Sequence, residues 1–166
     1  MPEPYVIGVT GDRWHKDALL HRESLVAAVR VAPADRTIIV RHGACPTGSD
    51  WLAASLLRRH RLFGDVFPRP VDEDPMPAGW DYCGPGCPPP GTPGHRIRKR
   101  PGDIHHPGDL DDYCPGAGPR RNALLVVGLD ELLAYPLPSS RGTPNCMRLA
   151  RQAGVPVRPI TRKGRP

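Results

Sequence analysis

A chain of 166 residues with 39% apolar content is long enough to form one domain around its own core. Its net charge of +6 favours anionic partners: nucleotides, nucleic acid or phosphorylated metabolites. No apolar run approaches the ~20 residues that span a bilayer, MPEPYVIGV lacks the marks of a secretory signal, and five cysteines are an odd number. These features predict a protein of the reducing cytoplasm with no membrane partner.

Tyr5–Val9 is a short β-branched run, read as a strand, that stops at Thr10-Gly11-Asp12-Arg13. From Lys16 to about Val31 the residues Leu19, Leu20, Val26, Ala27 and Val31 recur at helical spacing, and Pro33 bounds the helix. Thr37–Val40 is a second buried strand, followed by RHGACPTGSD and a helix through Asp50–Arg61. Trp51, Leu52, Ser55 and Leu56 supply its apolar side, and Ser49 or Asp50 is placed to cap it. Asp65–Phe67 reads as a third strand. GAGPRRNALLVVGL becomes helical from about Pro119, Glu131–Tyr135 is a fourth strand, and Pro144 to Ala153 is a helix closed by Gly154. Val155–Ile160 is the fifth strand, with a frayed tail from Arg162.

Between Met76 and Pro119, 19 of 44 residues are Pro or Gly. The expectation is therefore a single domain over 1–166, with 76–116 as an irregular insertion within it. Strands alternating with helices predict an α/β fold with an open, mostly parallel sheet and helices on both faces. In such sheets ligands sit beyond the carboxyl ends of the strands.

Four polar, Gly-bearing loops fall at those ends or at helix entries: TGDR, HGACPTGSD, GAGPRRN and SSRGT. A phosphate wants unpaired backbone N–H groups, close approach and positive charge, which helix N-termini, glycine and arginine supply. Ser139, Ser140, Arg141, Gly142 and Thr143 meet that recipe ahead of Pro144. Gly116, Gly118, Arg120 and Arg121 repeat it, and Gly43, Thr47 and Gly48 precede a further helix. Any one of these loops reads equally well as an ordinary strand-to-helix turn; the set favours a ligand site.

The order VTGDRxW, HGxCPTGSDWLA, AGPRRN and LAYPxxxSRGTxxCxxxAxxAGVPV resembles the SLOG superfamily of Rossmann-like domains, related to the LOG and DprA proteins. Within it the chain looks like the small bacterial and phage YpsA-related branch, and the likeness covers most of residues 5–160. The resemblance implies an open α/β sheet that binds a nucleotide or nucleotide-derived ligand. Gly11, Asp12 and Arg13 match the first loop, Gly43 and Gly48 the second, Arg121 and Asn122 the third, and Arg141, Gly142 and Thr143 the fourth. The superfamily's LOG phosphoribohydrolases carry an arginine, matched by Arg120 or Arg121, and a glutamate after a Gly-Thr loop. Here Pro144, Asn145 and Cys146 follow Gly142-Thr143, so that carboxylate is missing. Asp12 or Asp50 would have to replace it in stabilising an oxocarbenium-like centre. Catalytic candidates are thus Arg121 and Asp12, and binding ranks ahead of hydrolysis. Cys146, inside a helix beside Met147 and Leu149, reads as a packing residue rather than a nucleophile.

The insertion holds too few apolar residues to pack a core, so it needs a staple or stays disordered. Cys83 and Cys87 form C-x3-C, with His95, His105, His106 and Cys114 available to complete four ligands. A structural Cys3His zinc site would fold the loop; a floppy linker with reduced thiols, or a Cys83–Cys87 disulfide, are the alternatives. The Pro-Gly-His and Tyr-Cys-Pro of similar SLOG-type chains favour His95 as the histidine ligand, with His106 in reserve. The basic run Arg96, Arg98, Lys99 and Arg100 reads as solvated, since Asp103, Asp109, Asp111 and Asp112 follow it. Nucleic acid is accordingly a weaker expectation than a small nucleotide. The resemblance makes a homodimer plausible through helices that pair beside such sheets.

Overall fold

Strand alternation sorts the central apolar residues onto two faces, and the fold follows from that sorting. In the computed structural model, which describes residues 2–162, β1 (Tyr5–Gly11) sends Ile7 and Val9 into one core and Val6 into the other. β6 (Glu131–Tyr135) does the same, with Leu133 and Tyr135 on the first face and Leu132 on the second. Helices α1 (Ala18–Val31) and α2 (Gly48–Phe63) cover the first face through Leu25, Ala28, Val29, Ala53 and Leu57. Helices α3 (Ala117–Leu125) and α4 (Gly142–Gln152) cover the second through Leu125, Cys146 and Ala150. Truncating a fully buried residue such as Leu133 would cost about 2–5 kcal/mol, because the removed transfer energy and the cavity add.

The sheet is five-stranded and wholly parallel, in the order β3-β2-β1-β6-β7, with β2 (Ile38–His42), β3 (Val71–Pro75) and β7 (Val157–Pro159) completing it. The fold class expected from the sequence is observed. Chain direction away from β1 reverses between its two neighbours, so a crevice opens at the carboxyl ends of β1 and β6.

Several local expectations shift. Asp65–Phe67 is a bend, not a strand: Val66 and Phe67 are buried, and their N–H groups meet His60 Nδ1 at 3.4 and 3.1 Å. They close the end of α2, which stops at Gly64 with φ 66°, the left-handed region glycine favours. The edge strand is instead VDEDP, and its charges discourage pairing with further strands. Helix α1 begins at Ala18, where Asp17 caps it by accepting from the Leu20 N–H at 3.0 Å. Neither Ser49 nor Asp50 caps α2; Thr47 occupies that position, while the Asp50 carboxylate accepts from the Cys45 N–H at 3.1 Å. Trp51 faces solvent rather than the core.

The insertion folds as linked turns around a minimal antiparallel ladder of β4 (Ile97–Arg98) and β5 (Asp112–Tyr113). The expected tail lies outside the described residues except for Arg162, which pairs with Asp17. Among the described residues no helix is long and apolar enough to cross a membrane.

Candidate functional site

The four loops meet at the carboxyl edge of the sheet and are joined in pairs. The Ser49 N–H donates to the Asp12 carbonyl at 3.2 Å, which links the second loop to the first. Ser140 Oγ donates to Asp12 Oδ2 at 2.7 Å, which links the fourth loop to the first across the β1–β6 crevice. Asn122 Nδ2 donates to the Gly142 carbonyl at 3.3 Å and to Asn145 Oδ1 at 3.1 Å, tying the third loop to the fourth. The Arg121 guanidinium lies over Gly43, with Nη1 3.9 Å from Asp50 Oδ2, and closes the ring between the third loop and the second.

Glycine is required where these backbones touch. A Cβ on Gly48, whose φ is 68°, would stand 2.2 Å from the Asp12 carbonyl oxygen, and one on Gly11 would stand 2.0 Å from Ser49 Oγ. In the same region Ala44 holds φ 54°, a conformation that strains a residue with a Cβ. His42 helps to fix that turn. Its Nδ1 accepts from the Ala44 N–H at 3.1 Å, so Nε2 carries the proton and donates to Glu73 Oε1 at 3.0 Å.

Electrostatically the edge is built for an anion. Helices α2 and α4 begin there, and neither has a side chain hydrogen-bonded to its first turn as a cap, in contrast to α1; α3 begins instead against the cysteines, where a Cβ on Gly116 would stand 3.1 Å from Cys87 Sγ. The leading N–H groups of α2 and α4 carry partial positive charge. Arg13 and Arg141 enter no ion pair among the described residues. Thr143 Oγ1 and Ser49 Oγ are buried without a hydrogen-bond partner among the described residues, which is costly unless something meets them. Ser139 is exposed at the rim. Beside the third loop, an open depression of about 500 Å³ is lined by Met76, Tyr82, Arg120, Arg121 and Leu124, among others. Under the edge, Cys146 is fully buried; burial pushes its thiol up, which suits packing and not nucleophilic attack.

Arg120, expected at a phosphate, is turned to the insertion instead. Its Nη1 donates to Cys87 Sγ at 3.0 Å and its Nη2 to the Tyr82 carbonyl at 2.6 Å. Cys83, Cys87 and Cys114 place their sulfurs within 4.8 Å of one another, with Cys87 and Cys114 3.5 Å apart. A tetrahedral ion with metal–sulfur bonds of about 2.3 Å separates its sulfurs by about 3.8 Å, so the trio can hold a metal. Burial alone would raise the Cys114 thiol, yet hydrogen bonds from Arg120 and the neighbouring cysteines bring it down to about 7. His95 Nε2 stands 3.8 Å from Cys83 Sγ, while its Nδ1 donates to the Pro88 carbonyl, which leaves Nε2 as the lone-pair nitrogen. His106 is committed elsewhere: Nδ1 bonds Asp103 Oδ2 at 2.7 Å, and the ring stacks on Tyr113 with centroids 3.7 Å apart. Of the two histidines, His95 is the one whose ring nitrogen approaches a cysteine sulfur among the described residues.

Of the basic run, Arg96 pairs with Asp112 at 2.6 Å and Lys99 donates to the Gly108 carbonyl at 3.1 Å, while Arg98 and Arg100 are exposed and enter no ion pair among the described residues. Two residues near the loops have a place that the sequence reading does not give them: there Trp14 is only part of a motif, and His105 is only an available metal ligand. His105, from the insertion, bonds Thr47 Oγ1 through Nε2 at 2.9 Å, and Trp14 lies against it with ring centroids 5.4 Å apart. The position of Trp14 directly after Arg13 was the available signal; nothing in the sequence pointed His105 to this site, because only the fold brings it to Thr47.

No family model matches the chain. A stretch of 53 residues is 45% identical to the Gene 61 protein of Mycobacterium phage D29, covering 31% of this chain and 42% of that protein. The chain thus matches less than half of the phage protein's length.

Proposed function

We propose that the carboxyl edge of the sheet binds a nucleotide or nucleotide-derived ligand, for sensing or sequestration. The observation that carries the reading is the closed ring of four loops with the uncapped N-termini of α2 and α4. That arrangement concentrates backbone N–H groups, and Arg13, Arg121 and Arg141 add charge where a phosphate would dock. The loop order is similar to that of the SLOG superfamily, and we read the chain as a member of its YpsA-related branch. In the same reading, Cys83, Cys87, His95 and Cys114 hold a structural zinc ion. Four protein ligands leave no open position for catalysis, and the ion's role is to fold the insertion.

Cleavage of an N-glycosidic bond ranks behind binding. Both oxygens of Asp12 are engaged, Oδ1 by the Trp14 N–H at 2.8 Å and Oδ2 by Ser140, so this carboxylate serves as a structural tie. A DNA-binding role ranks behind both, because within the basic run Arg96 is held by Asp112 and few aromatic residues stand beside it to stack bases. Incubation with nucleoside monophosphates and dinucleotides tests the order. Saturable binding without release of free base supports it, and turnover abolished by Arg121→Ala would move hydrolysis to first place.

A further inference from the structure

Trp14 is an exposed indole at the rim of the candidate site, and its surroundings hold it in place. Its backbone N–H donates to Asp12 Oδ1, the carboxylate whose other oxygen binds Ser140 of the fourth loop. Its ring meets His105 edge-on, at an interplanar angle of 67°. His105 is itself anchored twice, by its Nε2 on Thr47 Oγ1 and by its N–H on Asp103 Oδ1 at 2.9 Å. Burial and the nearby Arg13 cation both lower the His105 pKa, which favours the neutral ring. The indole is nevertheless 60% exposed. What sets it apart from other exposed apolar residues of the chain is that a large aromatic surface is held by polar contacts beside the loops that carry Arg13 and Arg141.

We infer that Trp14, braced by His105, is the stacking platform for the base of the bound nucleotide. The inference rests on the nucleotide reading above and adds its base-recognition element. Every nucleobase has a π-face, so such a platform selects for base-bearing ligands over plain sugar phosphates without strong preference among bases. The placement fits the chemistry. The Asp12 carboxylate ties the tryptophan backbone to the SSRGT loop, so a phosphate at that loop lies within a nucleotide's reach of Trp14. His105 comes from the cysteine-bearing insertion, which thereby contributes a wall to the site rather than only a surface appendage.

The test compares affinities for four nucleoside 5′-monophosphates and for ribose 5-phosphate, by isothermal titration calorimetry on the full chain. The wild-type protein, Trp14→Ala, Trp14→Phe and His105→Ala are measured, with circular dichroism checking the fold. The expected result is a loss of roughly 5- to 100-fold for the nucleotides in Trp14→Ala, unchanged ribose 5-phosphate binding, and partial recovery in Trp14→Phe. His105→Ala should weaken the nucleotides by less than Trp14→Ala does. Equal weakening of nucleotide and sugar phosphate, or unchanged nucleotide affinity in Trp14→Ala, would overturn the platform while leaving the nucleotide site standing. If the wild-type protein binds neither ligand class, the site itself fails and the platform falls with it.

Discussion

The Ser140 hydroxyl donates to the Asp12 carboxylate across 2.7 Å, and this one bond joins residues 128 positions apart over the crevice between β1 and β6. The same hydroxyl accepts from the Leu137 N–H at 3.0 Å, so it also shapes the loop that presents Arg141. Ser140→Ala should cost about 1.5–3 kcal/mol of unfolding free energy, the usual loss for a hydrogen bond to a charged group. Urea denaturation checks the stability, and a parallel fall in nucleotide affinity would show that the loop has lost its setting.

Two glycine substitutions should separate folding from binding. A Cβ at Gly43 would fall 1.5 Å from Arg121 Nη1, the free end of a flexible side chain that can swing away. Gly43→Ala is therefore expected to keep its melting temperature within a few degrees and to lose ligand affinity through the displaced arginine. At Gly48 the obstruction is the Asp12 backbone and φ is positive. Gly48→Ala should destabilise the fold by about 2 kcal/mol or more. Thermal melts of the two variants distinguish the cases.

Ala44 offers the opposite sign. Its φ of 54° is disfavoured for any residue with a Cβ. Ala44→Gly should stabilise the protein by ~1 kcal/mol despite the added freedom of the unfolded chain. Chemical denaturation measures it, and a destabilised variant would contradict the strained turn.

Metal content should follow the sulfur geometry. Elemental analysis or native mass spectrometry of purified protein is expected to find about one zinc per chain, as a four-ligand site requires. Cys114→Ser and His95→Ala should lower that content, whereas His106→Ala should keep it, since His106 is held by Asp103 and Tyr113.

Stability should also carry the signature of a buried histidine. His21 is fully buried and stacked on Tyr135, and burial lowers its pKa from 6.5 to about 4. Its folded-state pKa is depressed, so between about 4 and 6.5 the unfolded chain binds the extra proton. The stabilisation is complete above pH 6.5 and is lost as pH falls toward 4, by up to ~1.4 kcal/mol per pH unit. His21→Phe keeps an aromatic ring beside Tyr135 and should flatten that slope in denaturant titrations run from pH 4 to 7.

The sequence exposed most of the framework, because β-branched runs such as Tyr5–Val9 mark themselves as strands. It placed helix α1 but not its buried face, since Leu19, Ala27 and Val31 are exposed while Leu25, Ala28 and Val29 enter the core. It misplaced the third strand because VDEDP has one apolar residue and earns its place by charge pairing, His42 to Glu73 and Arg41 to Asp74. It marked the four loops by glycine and arginine but had no means of separating Arg120 from Arg121. Successive helical residues point about 100° apart, so one guanidinium reaches the cysteines and its neighbour reaches Gly43. His105 was equally hidden, since its partner Thr47 lies 58 positions away.

The most direct test of the central claim is a calorimetric titration of nucleoside monophosphates and dinucleotides into the wild-type chain and the Gly43→Ala variant. The account predicts saturable one-site binding by at least one base-bearing ligand to the wild-type protein. It also predicts at least a tenfold loss in the variant at an unchanged melting temperature, about 1.4 kcal/mol of binding energy. An absence of binding across the panel, or equal affinity in the two proteins, would contradict it.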